Sequence, residues 1–385
     1  MLPDQKLLRI PGPTPIPPSV KQAMSRPMIG HRSQEASELI QSIRPGLGPL
    51  FGTKEEVMIV TGSGTSGLET AVVNAAAPDD EVLVIVTGAF GDRFAKICEA
   101  YDLKTHRMDV EWGKAARPEQ VEQYLKSHPD IRVVFATFCE TSTGVLNPIG
   151  EIGKVVQHSS DALFVVDGVS AIGGVEANMD DWGVDIFVTG SQKALMLPAG
   201  LALIAVSERA WKKIESNPQH RFYLDLKKYK EKIEGNSTPF TPALSLLFGL
   251  RQVLELFEEE GLKQVFNRHK LMMNMTREAF RALQLPLFTS DQDASPTVTA
   301  VQPDRFSAEE FRQVIRKEFG LSVAGGQQDL KGQIFRVGHM GYSSPADVLQ
   351  TISLVEIGLK TIGARFDFGQ GVAAAQQVYT NWREQ

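Results

Sequence analysis

Short apolar runs alternate with helical patterns through the first half of the chain. Seven of the runs have the length of a strand, and most are continuous β-branched stretches in which polar and apolar positions do not alternate. Strands of that kind are buried on both faces, so the pattern predicts a mostly parallel sheet flanked by helices. The predicted strands span residues 57–60, 82–86, 104–110, 131–137, 163–166, 185–188 and 201–206, with helices near 68–77, 92–101 and 149–159.

From residue 242 the pattern becomes helical, and a smaller unit of mixed character follows. Short strands mixed with helices predict an α+β domain behind the α/β one. The elements expected here are helices near 261–283, 307–319 and 345–362, and strands near 297–301, 321–324 and 334–337.

These patterns together predict an α/β protein in three parts. We expect an extended N-terminal arm at 1–20, a large domain at 21–264 and a small C-terminal domain at 265–385. The arm contains the proline-rich segment RIPGPTPIPP, residues 9–18, which can form neither a helix nor a central strand. It is either a floppy leader or an ordered arm lying on a surface, and the composition leaves both open.

Composition and charge exclude several classes of protein. With 42% hydrophobic and 22% charged residues, the 385-residue chain has the balance of a folded globular protein rather than of a disordered one. Its 40 basic and 46 acidic residues give a net charge of −6, and no long basic stripe interrupts this acidic balance. A nucleic-acid partner is therefore not expected.

Targeting and membrane segments are not expected either. The first residues lack a basic start followed by an apolar stretch, and the longest uncharged apolar run, 194–206, is too short to span a bilayer. The two cysteines, Cys98 and Cys139, form no CxxC pair, which argues against a disulfide scaffold and a structural zinc site. We therefore expect a cytoplasmic protein with reduced thiols and no metal.

A glycine-rich loop at residues 61–67 (TGSGTSG) follows the first predicted strand and opens a helix. Glycines let backbone N–H groups approach an anion, a helix N-terminus favours negative charge, and Ser63 and Thr65 add hydroxyl donors. The spacing also fits a dinucleotide fingerprint, but the second strand ends without the ribose-binding carboxylate, and no lysine follows the last glycine. The loop is either a phosphate cradle or a plain tight turn.

Two residues that carry chemistry, Asp167 and Lys193, follow predicted strands. Taken singly, Asp167 could be a helix cap and Lys193 a surface charge. However, the carboxyl ends of parallel strands meet at one edge of a sheet, where ligands bind. A phosphate cradle, a carboxylate and a lysine with apolar neighbours at one edge match the phosphate, the ring nitrogen and the aldehyde of pyridoxal 5′-phosphate.

Two further side chains are candidates for the same site. Phe90 follows the second strand, where its ring could stack on a flat cofactor or belong to the core. Arg336 lies within an apolar strand of the small domain, and a guanidinium is costly to bury without a partner. A substrate carboxylate gripped bidentately would be such a partner, and so would a structural salt bridge.

Seven motifs follow one another between about residue 11 and about residue 356: PGPTP, GSGT, GAFG-x-R, ETSTG, VVDGVS, GSQKAL and FRVG. Their order resembles the class V aminotransferases of PLP fold type I, most nearly the alanine–glyoxylate and serine–pyruvate branch. GSQK with its upstream aspartate is the most specific part. The resemblance implies a pyridoxal-phosphate enzyme and a homodimer whose active sites lie at the subunit interface.

The resemblance also implies a role for each matching residue. Lys193 would form the Schiff base with the cofactor, Asp167 would pair with the ring nitrogen, and Arg336 would clamp the substrate carboxylate. The remaining cofactor contacts would be Ser63, Gly64, Thr65 and Gln192 at the phosphate, Phe90 on the ring, Ser142 at the ring oxygen, and Thr238 at the phosphate of the neighbouring subunit.

The implied reaction moves an amino group from a small amino acid, alanine or serine, to a small 2-oxo acid, glyoxylate or pyruvate. It would follow a ping-pong course with Lys193 as the base. An aminotransferase that uses aspartate or ureidoglycine, or a class V lyase, remains an alternative, although a desulfurase would need a cysteine after Cys139. A non-catalytic subunit that binds pyridoxal phosphate is a further alternative, while the missing ribose carboxylate disfavours a nicotinamide-dependent oxidoreductase.

Overall fold

Strands and helices alternate along residues 6–383, the part of the chain that the computed structural model describes. The strands are β1 (Leu7–Leu8), β2 (Val57–Gly62), β3 (Glu81–Val86), β4 (Lys104–Asp109), β5 (Ile131–Thr137), β6 (Cys139–Glu140), β7 (Val145–Leu146), β8 (Leu163–Asp167), β9 (Ile186–Gly190), β10 (Gly200–Val206), β11 (Val298–Val301), β12 (Leu321–Ser322), β13 (Ala324–Gly325) and β14 (Phe335–Gly338). The α-helices are α1 (Pro18–Met24), α2 (Gln34–Phe51), α3 (Gly64–Ala75), α4 (Ala89–Ala100), α5 (Pro118–Ser127), α6 (Ile149–Ser159), α7 (Met179–Trp182), α8 (Glu208–Ser216), α9 (Leu226–Ile233), α10 (Leu244–Glu260), α11 (Leu262–Ala282), α12 (Ala308–Phe319), α13 (Pro345–Thr361) and α14 (Gln370–Arg383).

Seven strands form the central sheet, in the order β2-β10-β9-β8-β5-β3-β4. Strand β10 runs antiparallel to both of its neighbours, and the other pairings are parallel. The other six strands therefore end at one edge of the sheet. Strands β8 and β9 are buried throughout, as their continuous apolar sequences predict. The predicted α/β fold with a mostly parallel seven-stranded sheet is confirmed.

The helices that leave this edge begin earlier than the apolar pattern indicates. Helix α3 begins at Gly64 rather than near residue 68, because the hydroxyl of Ser63 caps it by accepting a hydrogen bond from the backbone of Ser66. Helix α4 begins at Ala89 rather than at residue 92. The first turns of both helices consequently lie directly at the strand ends.

Several helices are absent from the sequence-based prediction. Helix α2 contains Pro45 and Pro49, and prolines inside a segment normally argue against a helix. Helix α14 mixes alanine and glutamine with a few larger apolar residues, and it packs against α11. Both helices therefore form because of tertiary packing and not because of their local sequence pattern.

The C-terminal part is built on a three-stranded antiparallel sheet in the order β11-β14-β13. Its buried apolar side chains, among them Phe280, Phe311 and Phe335, form a cluster separate from the one around the central sheet. Helix α11 contributes to both, because Val265 belongs to the first cluster and Met272 to the second. The domain boundary at residue 265 stays a prediction.

The N-terminal arm is ordered from residue 6 onward. Strand β1 pairs in parallel with β12, and the backbone nitrogen of Thr14 donates to the carbonyl of Gln192 at 3.1 Å. The floppy-leader alternative is therefore wrong for residues 6–17, and helix α1 begins at Pro18. Residues 1–5 of the predicted arm lie outside the described range. Among the helices of residues 6–383, none combines the length and the apolar character needed to cross a membrane.

Candidate active site

The edge at which the parallel strands end collects the residues expected to bind a cofactor. Strand β2 leads into Ser63, β8 ends at Asp167, and β9 leads to Lys193 three residues beyond its last residue, Gly190. Strands β8 and β9 are neighbours, and β2 runs in the same direction two positions away from β9. The topology therefore brings the cradle, the carboxylate and the lysine to one place.

The predicted phosphate cradle is the first turn of α3. Ser63 and Thr65 are exposed there, and the Thr65 hydroxyl accepts a hydrogen bond of 3.3 Å from Arg93. Gly64 is buried, and a Cβ added to it would lie 3.0 Å from the side chain of Val169. The turn presents helix N–H groups, two hydroxyls and a neighbouring guanidinium, which is a set of groups that binds an anion.

Gln192 lies beside this turn. Its amide nitrogen is 3.8 Å from the position that a Cβ on Gly64 would occupy, and its amide oxygen is buried without a hydrogen-bond partner among the described residues. Gly190 allows this approach, because a Cβ there would lie 2.9 Å from that amide oxygen. Buried polar atoms normally have partners, so the amide is placed to bind a further polar group at the cradle.

The carboxylate of Asp167 is only 3% exposed. Its Oδ1 accepts a hydrogen bond of 2.9 Å from the backbone nitrogen of Val169. Burial raises the pKa of Asp167 to about 6, and the Val169 bond opposes that change. A buried carboxylate held in this way is suited to a cationic partner, such as a protonated ring nitrogen.

The side chain of Lys193 is 8% exposed, and its Nζ donates a hydrogen bond of 2.6 Å to the carbonyl oxygen of Pro11. Burial lowers the pKa of the amine to about 8, so a sizeable neutral fraction exists near neutral pH. Nζ also lies 5.9 Å from the centre of the Phe90 ring. The predicted surface-charge alternative for Lys193 is wrong, because the amine is buried.

Glu140, which was not among the predicted site residues, links Phe90 and Ser142 through hydrogen bonds. The buried carboxylate of Glu140 accepts hydrogen bonds from the backbone nitrogens of Phe90 and Gly91 with Oε2, and from the backbone and hydroxyl of Ser142 with Oε1. Burial raises the pKa of Glu140, while the bonds from Ser142, Gly91 and Phe90 lower it. Its position in the ETSTG motif was a signal that could have identified it.

Arg336 is 4% exposed and is held by backbone carbonyls alone. Its Nε and one terminal nitrogen donate to the carbonyl of Gly325 at 2.9 and 2.6 Å, and the other terminal nitrogen donates to Thr141 at 2.6 Å. No carboxylate of residues 6–383 lies within ion-pair distance of it, whereas the equally buried Arg277 pairs with Asp291. The salt-bridge alternative for Arg336 is therefore wrong within the described chain.

Thr238 does not contact the cradle of its own chain. Its hydroxyl donates to the carbonyl of Phe240 at 2.7 Å. The segment nevertheless lies close to the end of β2, because the backbone nitrogen of Ala243 donates to the hydroxyl of Thr61 at 3.2 Å. The predicted role of Thr238 at a neighbouring subunit stays a prediction.

Comparison with known proteins decides the family. A family model described as aminotransferase class V matches residues 10–348. This chain is a class V aminotransferase. The aminotransferase is 43% identical to an uncharacterised aminotransferase of Methanocaldococcus jannaschii, over 97% of each chain. It is 41% identical to a soluble hydrogenase small subunit of Synechococcus sp., over 97% of this chain and 98% of that one.

Relatives with named substrates are also similar to the aminotransferase. A serine–glyoxylate aminotransferase of Methylorubrum extorquens is 34% identical over 97% of this chain and 96% of its own. The solved structure of ureidoglycine–glyoxylate aminotransferase from Bacillus subtilis has a TM-score of 0.92 at 31% identity, with 99% of this chain and 100% of that one covered. For pyridoxamine–pyruvate aminotransferase from Mesorhizobium loti, the TM-score is 0.93 at 30% identity, with 98% of both chains covered. These matches confirm the predicted PLP fold type I.

The cofactor of the aminotransferase is pyridoxal phosphate, and the residues present fit it. The first turn of α3, with the amide nitrogen of Gln192 beside it, suits the phosphate. The buried carboxylate of Asp167 suits the ring nitrogen, and the buried amine of Lys193 suits the aldehyde. Each of the three groups therefore has a chemically matched counterpart at the same edge of the sheet.

Proposed function

We propose that this aminotransferase moves an amino group from alanine or serine to glyoxylate or pyruvate. The observation that carries the proposal is the buried guanidinium of Arg336, which has no carboxylate within ion-pair distance in the described chain and shares the site with Lys193. A carboxylate is the group common to every amino acid and 2-oxo acid, and a guanidinium binds it bidentately. The relatives named for glyoxylate or pyruvate support a small 2-oxo acid as the acceptor.

Each site residue has a proposed task. When bound, pyridoxal phosphate supplies a ring that accepts the electron pair left behind when the α-proton of the donor departs. Asp167 holds a proton on the ring nitrogen, and Lys193 takes the α-proton and delivers it again. Arg336 orients both substrates through their carboxylates.

The remaining residues bind the cofactor and exclude water. Ser63, Gly64, Thr65 and Gln192 hold the phosphate at the first turn of α3. Phe90 stacks on the ring, and Ser142 lies at the ring oxygen. Because the donor must leave as a 2-oxo acid before the acceptor can occupy Arg336, we expect ping-pong kinetics.

The state of assembly and the cellular location are part of the proposal. We place the aminotransferase in a homodimer, in which Thr238 reaches the phosphate site of the partner. Met28 and Phe222, which are 69% and 73% exposed, support a contact surface, because a second subunit would cover them. The buried unpaired thiols of Cys98 and Cys139 support a cytoplasmic location. Light scattering that found a fully active monomer would contradict the dimer.

The decisive experiment is a pair of half-reactions followed by visible absorbance. The purified holoenzyme is mixed with alanine, serine or aspartate, and then with glyoxylate or pyruvate. We expect alanine or serine to bleach the Schiff-base band and glyoxylate or pyruvate to restore it. Bleaching by aspartate alone would move the assignment to another aminotransferase of the family. A band that no donor changes would favour the non-catalytic subunit, a possibility that the hydrogenase-subunit name of one relative raises for that protein.

A further inference from the structure

The N-terminal arm is fixed to the C-terminal part of the molecule by its first described residues. The backbone nitrogen of Arg9 donates to the carbonyl of Ser322 at 2.9 Å, and its carbonyl accepts from Gly338 at 2.8 Å. The guanidinium of Arg9 forms an ion pair with Asp347. Gly338 leaves no room for a side chain, because an added Cβ would lie 2.7 Å from the Cα of Pro11. The position of Pro11 is therefore set independently of Lys193.

The next residues of the arm hold Lys193 from two sides. The carbonyl oxygen of Pro11 accepts the bond of 2.6 Å from Nζ. The hydroxyl of Thr14 donates to the backbone carbonyl of Lys193 at 2.8 Å, and the backbone nitrogen of Thr14 donates to Gln192 at 3.1 Å. Thr14 is only 4% exposed, so these bonds are shielded from water.

Gly12 lies directly against the lysine side chain. A Cβ added to Gly12 would come within 2.5 Å of Cδ and 2.8 Å of Cε and Nζ of Lys193. The φ angle of Gly12 is +117°, which residues with a side chain rarely adopt. The glycine thus permits a contact between backbone and amine that any other residue would block.

We propose that residues 11–14 of the arm position Lys193, and that the carbonyl oxygen of Pro11 holds the amine whenever the amine is not bonded to the cofactor. A neutral amine that donates one N–H to this carbonyl keeps its lone pair for the substrate proton. The carbonyl can accept but not donate, so it also stabilises the protonated form. The arm therefore sets both the direction and the basicity of the amine. The proposal rests on the role of Lys193 proposed above.

Two pairs of variants test the proposal in the holoenzyme. Thr14→Val removes the hydroxyl at nearly constant volume, and Thr14→Ser keeps it. Lys193 still accepts a bond from the backbone of Met196 at 3.0 Å, so Thr14→Val leaves no unpaired carbonyl. Gly12→Ala displaces the amine, and Gly363→Ala is its control, because Gly363 also has a positive φ, +87°, but has nothing within 4 Å of an added Cβ.

Cofactor affinity, the pH midpoint of Schiff-base formation and the unfolding midpoint are measured for each variant. We expect Thr14→Val to weaken cofactor binding by about five-fold and Thr14→Ser to restore it. Gly12→Ala should move the midpoint of Schiff-base formation to lower pH, because the protonated amine loses its acceptor, while Gly363→Ala should leave the midpoint unchanged.

The proposal is overturned if folded Thr14→Val binds the cofactor as tightly as the wild-type protein, or if folded Gly12→Ala keeps the wild-type midpoint. If Gly12→Ala does not fold, the comparison of Thr14→Val with Thr14→Ser decides whether the proposal holds. Borohydride reduction of the wild-type holoenzyme distinguishes a failure of the proposal about the arm from a failure of the proposed function. If Lys193 is not the labelled residue, its assigned role is wrong; if it is labelled and Thr14→Val has no effect, only the role of the arm is wrong.

Discussion

Oε2 of Glu140 lies 3.1 Å from the backbone nitrogen of Phe90, and thereby caps the helix whose first turn carries that ring. The other carboxylate oxygen accepts from the backbone nitrogen of Ser142 at 3.1 Å and from its hydroxyl. One buried carboxylate thus fixes two residues, on different elements, that we propose contact the cofactor. Gly88 makes room for it, because a Cβ there would lie 2.6 Å from the carboxylate carbon.

A Glu140→Gln substitution should destabilise this part of the site. An amide has one acceptor oxygen, so either the Phe90 side or the Ser142 side must face an NH₂ group. We expect a loss of about 2 kcal/mol in the free energy of unfolding and weaker cofactor binding, measured by thermal melts and absorbance titration. Glu119→Gln, in the exposed first turn of α5, is the matched control. A Glu140→Gln holoenzyme with unchanged melting and affinity would refute the role of this carboxylate.

A comparison of Arg336 with Arg277 tests whether Arg336 binds the substrate. Both are buried arginines, but only Arg277 pairs with a carboxylate. Arg336→Lys should raise the KM for the donor by roughly 30-fold, since a point charge replaces a bidentate group worth about 2 kcal/mol. Arg277→Lys should lower the melting temperature and leave KM near the wild-type value. Steady-state kinetics on both variants measures this difference. Equal effects on KM would show that Arg336 does not bind the substrate.

The cofactor-free protein should show a pH dependence that comes from Asp167. Burial raises its pKa from 3.8 to about 6, so the folded state binds the proton more tightly than the unfolded state. Its contribution to stability is complete below pH 3.8 and is lost as the pH rises through about 6. The loss amounts to about 3 kcal/mol.

Asp167→Asn removes this titration and keeps the oxygen that accepts from Val169. Its melting temperature relative to the wild-type protein should therefore increase as the pH is raised from 4 to 7. Asp130→Asn, at an exposed site, should show no such trend. With the cofactor bound, Asp167→Asn should slow the donor half-reaction by roughly a hundred-fold or more. A melting difference that does not change with pH would contradict the burial argument.

The sheet and the site residues at its edge were predictable because they depend on local signals. Apolar runs without alternation identify most of the strands, and the common direction of β8 and β9 places Asp167 and Lys193 together. Helix α2 was not predictable, because its two prolines argue against a helix and only packing of its apolar face overrides them.

Glu140 and Thr14 lie in the motifs ETSTG and PGPTP, but the contacts that make them parts of the site were not predictable. Each acts through contacts with residues far away in the sequence: Glu140 with the first turn of α4, and Thr14 with Lys193. No pattern within a short window reports such a contact. For Arg336, the sequence indicated that a partner was needed, but only the structure excludes an acidic residue of the described chain as that partner.

The central claim is that Lys193 is the amine that binds the cofactor. Because burial lowers its pKa to about 8, the rate at which added pyridoxal phosphate forms a Schiff-base band with the cofactor-free protein should rise with pH around that value. The amine is protonated below it and cannot attack the aldehyde. Borohydride should then fix the cofactor on Lys193. Peptide mapping by mass spectrometry would identify the labelled residue. A band fixed on another lysine, or a Lys193→Ala protein that turns over near the wild-type rate, would contradict the account.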